Sequence, residues 1–434
     1  MLLVPPVVRL RILALAATAF LAGAQFVLAE PEQPPRRATI SPSLVHLDPG
    51  QEQKFKIVMD APIERIATLA TRVIWSVNGV AGGNAEIGTI NAEGRYRAPA
   101  KTPKLRELHI CGEVEDAANR FLWATVVIGA SPPTYKSMGY WGLQVDYDSP
   151  SAVAKEFHGI CLDPDGNLLI SDQTSCRILR YSPAGKLLGE IGLGKGLEPG
   201  HFMNPRAVVC DAAGRFFVSD IKPAEPCIQV FGPDGGFLYG FAPGGTGPGC
   251  MKRPHGMDFD VHRRLFVTDV ENARINVYKD SGEFLYSWGT HGVLPGEFNA
   301  PHGLTVDPSG DVFITGYYGP TQKFTSEGKF LYAFAHGDPP DGPLRFHSNA
   351  GDRWGNVYLL VRYPDDEEMD IVKSGGEKPF SIMKYNNNGD LVTSWTHTLP
   401  QYRESWAVVA EDGTIYSLCV QKKKEVGVEV FVEE

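Results

Sequence analysis

Beyond residue 157 the hydrophobic positions come in short bursts. Between Pro254 and Gly289 there are four: Pro254-His255-Gly256-Met257-Asp258-Phe259, Arg264-Leu265-Phe266-Val267-Thr268-Asp269, Arg274-Ile275-Asn276-Val277-Tyr278 and Phe284-Leu285-Tyr286-Ser287-Trp288. Each burst is rich in β-branched and aromatic residues, and Gly, Asp or Asn separates it from the next. This spacing predicts four antiparallel strands joined by tight turns. A sheet of this kind has two apolar faces and cannot bury both alone, so copies must stack beside it.

The copies are present. With His255 as first position, the equivalent residues are His158, Arg206, His302, His347 and Ser405. Five residues further on stand Asp163, Asp211, Asp260, Asp307 and Asp352, with Ala410 in the last copy. Fourteen residues on stand Asp172, Asp220 and Asp269, then Gly316, Val361 and Cys419. Fixed offsets inside a variable spacing mean that strands are kept while loops change. The expectation is an all-β chain with a six-bladed β-propeller. Pro-His-Gly, a turn Asp, Val-(Ser/Thr)-Asp and the connector from Gly292 to Pro301 resemble the NHL repeat family. The repeated aspartates are expected to fix turns through side-chain to backbone bonds.

The last copy runs out after three strands. Ser137-Met138-Gly139-Tyr140-Trp141-Gly142 matches the fourth-strand ending Tyr286-Ser287-Trp288-Gly289 and is expected to supply the missing outer strand, clasping the ring. The propeller is therefore placed at 137–434 and a Pro-rich linker at 131–136. Residues 38–130 alternate with a period of two and carry Trp75-Ser76-Val77-Asn78-Gly79 and Gly94-Arg95-Tyr96-Arg97-Ala98-Pro99. They resemble bacterial immunoglobulin-like domains, which implies a small β-sandwich with Trp75 in its core.

Residues 1–29 combine Arg9 and Arg11, an apolar run and Val27-Leu28-Ala29, the pattern of a cleaved secretory signal peptide. Export to the periplasm or medium follows, with no membrane span after its removal. A net charge of −10 argues against nucleic acid as partner. Lys422-Lys423-Lys424 reads as a hairpin tip and Asp365-Asp366-Glu367-Glu368 as a solvated loop. Seven cysteines leave at least one unpaired; a Cys176–Cys227 bridge between blades one and two fits their matching positions, and buried thiols account for most of the others.

Strand one of each blade lines the axis, so the first-position residues crowd one channel mouth. Blades one, three and five place His158, His255 and His347 about 120° apart by six-fold symmetry. Three neutral imidazoles with an open position are a ligand set for catalytic zinc or another divalent metal. His302 is a further ligand or a general base. The arrangement resembles peptidyl-α-hydroxyglycine α-amidating lyase, which implies metal ligands His158, His255 and His347. In that family an Arg and a Tyr assist C–N cleavage; the candidates here are Arg206 and Tyr317 or Tyr318. The chain has no nucleophile elbow, phosphate-cradling loop or paired glycosidase carboxylates. Two function classes stand side by side. One is a metal-dependent lyase or hydrolase taking a small molecule or peptide at the mouth. The other is a non-catalytic propeller binding protein, peptide or glycan.

Overall fold

Each of the first five copies of the repeat forms a four-stranded antiparallel sheet in simple meander order, and the sixth sheet takes one strand from earlier in the chain. The computed structural model describes residues 37–59, 73–114, 121–143, 157–221, 226–316, 319–335, 345–362, 382–398, 402–421 and 426–434. The signal segment, Tyr317, Tyr318, the acidic run 365–368 and the lysines 422–424 lie outside them. Among the described residues every regular element is a strand, and no helix is long and apolar enough to cross a membrane.

The inner strands Phe157–Leu162, Pro205–Cys210, Pro254–Phe259, Pro301–Val306, Arg345–Gly351 and Tyr402–Val409 touch one another in cyclic order, and the last touches the first. This closes a ring of six sheets, a β-propeller. Each sheet buries both faces against its neighbours. Phe266, Val277, Ile314 and Phe324, for example, fill the space between blades three and four.

The motif residues have distinct physical jobs. A Cβ on Gly159 would lie 2.4 Å from Arg206 O, and one on Gly256 would lie 2.5 Å from His302 O. The glycine after the first position in blades one, three and four therefore lets inner strands approach backbone to backbone. The Ser or Thr of strand two bonds across the same gap. Ser171 Oγ donates to Arg206 O (2.5 Å), and Thr268 Oγ1 donates to His302 O (3.2 Å). The aspartates five residues on cap the first turn of their blades. Asp163 Oδ1 accepts from the N–H groups of Asp165 and Asn167, and Asp260 Oδ1 from those of His262 and Arg264. Asp220 and Asp269, fourteen residues on, hold the backbone entering strand one through Met203, Asn204, Lys252 and Arg253. These are turn-fixing roles.

The closing blade has the order Tyr135–Gly142, Val426–Glu433, Ile415–Gln421, Tyr402–Val409. Its outer strand comes from the chain's earlier part, as the match to Tyr286-Ser287-Trp288-Gly289 requires. That strand begins at Tyr135, two residues before position 137, because Tyr135 already pairs with Glu433. Tyr135 stacks on Trp395 of blade five (4.1 Å), and Trp141 packs on Tyr181 of blade one (5.2 Å).

Residues 38–128 form sheets of two, five and four strands around one core that includes Trp75, Val77, Tyr96, Ile110 and Val126. Trp75 is a core residue, 7% exposed. This β-sandwich sits on the turns of blades four and five, at the ends away from the first-position histidines. His109 stacks on Trp354 (5.0 Å), Lys384 Nζ reaches Glu107 Oε2 (2.6 Å), and Asn388 Nδ2 donates to Trp123 O (3.0 Å).

Candidate functional site

An axial cavity of about 190 Å³ runs between the inner strands, lined at one end by His158, His255 and His302. Each histidine is the second residue of an inner strand or its equivalent, and the glycine after it draws the strands close enough for the rings to meet. The His158 and His255 rings lie 5.4 Å apart, and His255 and His302 are 4.2 Å apart. Burial and the nearby Arg206 guanidinium hold the His158 imidazolium well below its usual range, so His158 is neutral around pH 7. Neutral imidazole is the form that ligates a metal or accepts a proton.

His347 lies on the inner strand Arg345–Gly351, but its side chain is outside the described residues. Arg206 is 8% exposed at the head of blade two. The structure thus gathers His158, His255 and His302, with Arg206 close to His158. Tyr317 and Tyr318 are not among the described residues.

Trp406 was not singled out from the sequence. It packs on His158 (4.7 Å) and walls the cavity from the closing blade. A signal existed: the residue after the first position is Gly159, Ala207, Gly256, Gly303 or Ser348 in the other blades and Trp only here. Further along the inner strands, Cys161 and Cys210 bring their sulfurs to 4.0 Å in the core between blades one and two. The suggested partners Cys176 and Cys227 instead turn their thiols to separate backbone carbonyls, Met203 O and Met251 O, and none of the seven cysteines, all among the described residues, is in a disulfide.

Asp258 also lines this channel. Its carboxylate accepts from Val306 N–H (2.8 Å), Phe259 N–H (2.8 Å) and Thr305 Oγ1 (3.0 Å). Burial nevertheless pushes its carboxyl up to about 6. A carboxyl raised in the folded state keeps its proton longer there than when unfolded. Its contribution favours folding below about pH 4 and is lost as the pH rises through about 6. Asp258→Asn, which cannot titrate, should gain on wild type by about 1–2 kcal/mol between about pH 4 and 7, less than full linkage because Asp258 keeps some exposed surface and solvent screens its charge. Urea midpoints of the two proteins across that range check this, and a constant difference would exclude titration of Asp258.

No family model matches the chain. Over 132 residues it is 32% identical to peptidyl-glycine alpha-amidating monooxygenase of Mus musculus, and equally to that of Rattus norvegicus. The match covers 28% of this chain and 13% of the mouse protein, so the chain spans about an eighth of the length of these relatives. Among solved structures, virginiamycin B lyase from Staphylococcus aureus aligns with a TM-score of 0.43 at 13% identity, covering 83% of this chain and all of that one. The WD40 β-propeller domain of Doa1 aligns at 0.42 and 11%, covering 84% and 94%.

Proposed function

We propose that the chain is an exported, metal-dependent lyase or hydrolase working at the histidine mouth of its propeller, of the peptidyl-α-hydroxyglycine lyase type. Imidazoles from several blades converging at one channel end carry this reading. The partial likeness to the amidating monooxygenases supports it.

The donor set suits zinc: His158 is kept neutral by burial, and His158, His255 and His347 would hold the ion. Bound there, a zinc ion would act as a Lewis acid on a hydroxyl or carbonyl oxygen. The remaining work falls to the chain. The Arg206 guanidinium binds a substrate carboxylate through two parallel N–H donors, which a lysine would not reproduce. His302, packed on His255, takes the hydroxyl proton as the C–N bond opens. Tyr317 or Tyr318, which follow strand two of blade four, return a proton to the leaving amide nitrogen. Trp406 keeps water from one side of the reacting group. The β-sandwich, by its resemblance to immunoglobulin-like modules, serves as a support on the opposite face.

Elemental analysis of the protein recovered from periplasm or medium, without residues 1–29, tests the reading. His255→Ala should lose about one metal equivalent per chain relative to wild type. Wild type should convert a peptidyl-α-hydroxyglycine to amide and glyoxylate. Equal metal content in the two proteins removes the ring metal and favours a binding scaffold. A ring metal without turnover keeps the site and discards the lyase.

A further inference from the structure

The closing blade carries a second group of ligating side chains, away from the channel and sealed from solvent. Its meaning comes from comparing equivalent positions around the ring. In blades two, three and four the strand-three residue opposite Val218, Val267 or Ile314 is an amide: Gln229, Asn276 or Gln322. That amide clamps the connector arriving from the preceding blade. Gln229 Nε2 donates to His201 O (2.7 Å) while its Oε1 accepts from Gly200 N–H (2.9 Å). Gln322 repeats the clamp on Glu297 O and Gly296 N–H (2.9 and 2.7 Å).

The closing blade keeps the clamp and changes its chemistry. Here the residue is Glu429, opposite Ser417, and it accepts from Thr398 N–H (3.1 Å) and Thr398 Oγ1. A carboxylate has no donor. The replacement gives up one half of the clamp and brings a negative charge to a residue with no exposed surface. A buried charge of this kind needs compensation. Beside it stands Cys419, at the position that holds Asp172, Asp220 and Asp269 in the first three blades. His397 enters from the connector, with Nε2 2.8 Å from Ser417 Oγ. One donor atom each from His397, Cys419 and Glu429 lie within 4.8 Å of one another, and none of these residues is more than 1% exposed.

We propose that His397, Cys419 and Glu429 hold a zinc-class divalent cation, captured as the ring closes. Thiolate with imidazole excludes calcium and magnesium, which take oxygen ligands, and suits zinc or cobalt. The charges balance, because a thiolate and a carboxylate together cancel one divalent cation. The ion would staple the connector from blade five onto strands two and three of the closing blade. Glu429 is itself the backbone partner of Tyr140 in the clasping strand, so the staple sits beside the joint that completes the ring.

Refolding the full-length apoprotein with cobalt(II) tests this independently of the channel site. A thiolate ligand gives cobalt a sulfur-to-metal charge-transfer absorption in the near ultraviolet, which an all-imidazole ring does not. The band is expected in wild type and in His255→Ala, and absent from Cys419→Ser. Glu429→Gln restores the amide of blades two to four, so it should fold and weaken cobalt binding by at least about tenfold. No band in refolded wild type, or an unchanged band in Cys419→Ser, overturns the site. If Cys419→Ser fails to fold, unchanged cobalt affinity in Glu429→Gln overturns it instead.

Discussion

Replacing Lys384 with methionine is expected to remove about 3–5 kcal/mol of folding free energy, read from denaturant unfolding of the full chain. Lys384 and Glu107 are 3% exposed each, and Lys384 Nζ lies 2.6 Å from Glu107 Oε2. The ammonium also donates to Tyr135 Oη (3.0 Å), so one cation joins the sandwich, the clasp strand and blade five. Its pairing with Glu107 holds Lys384 protonated well above its usual range. Burial pushes the Glu107 carboxyl up to about 7 against that pull. Without Lys384 the carboxyl loses its counter-charge and stays protonated to higher pH. A carboxyl raised in the folded state stabilises at low pH and ceases to do so as the pH rises through its folded value. The loss in Lys384→Met should therefore grow on going from about pH 5 to pH 8. Adding Glu107→Gln removes the stranded charge and should recover most of the loss. A loss below about 1 kcal/mol, the range of an exposed pair, would sink the claim that the sandwich is seated on the propeller in solution.

That junction was hidden in the sequence for a physical reason. Glu107 and Lys384 are 277 residues apart, and Asn356, which donates to Glu107, Arg37, which pairs with Asp311 of blade four, and Asn388 all read as ordinary surface polar residues. Periodicity shows which face of a strand is apolar, but not which polar turn meets which domain. The ring itself was legible because its constraint repeats. Six strands must pass close to one axis, and only glycine or another small residue after the first position allows it at most of them. Two apolar faces per sheet then require neighbours on both sides. The clasp was legible because Tyr140-Trp141-Gly142 copies the end of a fourth strand, although pairing starts at Tyr135.

Part of the site was legible and part was not. Register alone brought His158, His255 and His302 to one end of one cavity, since residues at equal offsets in a repeat occupy equivalent places. Cysteine pairing failed on the same logic. Cys176 and Cys227 have equivalent places but turn toward separate carbonyls, whereas Cys161 and Cys210 face each other across the core between blades one and two, on adjacent inner strands. Trp406 and the group at Glu429 escaped because each is a departure from the repeat. A departure becomes readable only when the other blades show what the position ordinarily does. Trp406 stands where glycine usually lets strands touch, and Glu429 stands where an amide usually clamps a connector.

The joint that completes the ring should be fragile to a single methyl group. Gly427 lies opposite Gly142, where the clasping strand meets Val426–Glu433. A Cβ there would lie 2.3 Å from Tyr140 Cζ and 2.4 Å from Trp141 O. The tyrosine ring can swing aside, but the Trp141 carbonyl belongs to the backbone, so the strand Tyr135–Gly142 must shift to make room. Gly427→Ala is therefore expected to cost about 2–3 kcal/mol, and to lower the melting temperature by roughly 2–4 °C per kcal/mol. Gly189, in the outer strand of blade one, is the matched control, because a Cβ there meets nothing within 4 Å. Gly189→Ala should stay within about 0.5 kcal/mol of wild type. In Gly427→Ala, amide exchange should rise first in residues 135–142, because outward displacement of that strand breaks its ladder while the other five blades keep theirs. Equal melting of the two variants would mean that the strand from residue 135 is not the one that closes the propeller.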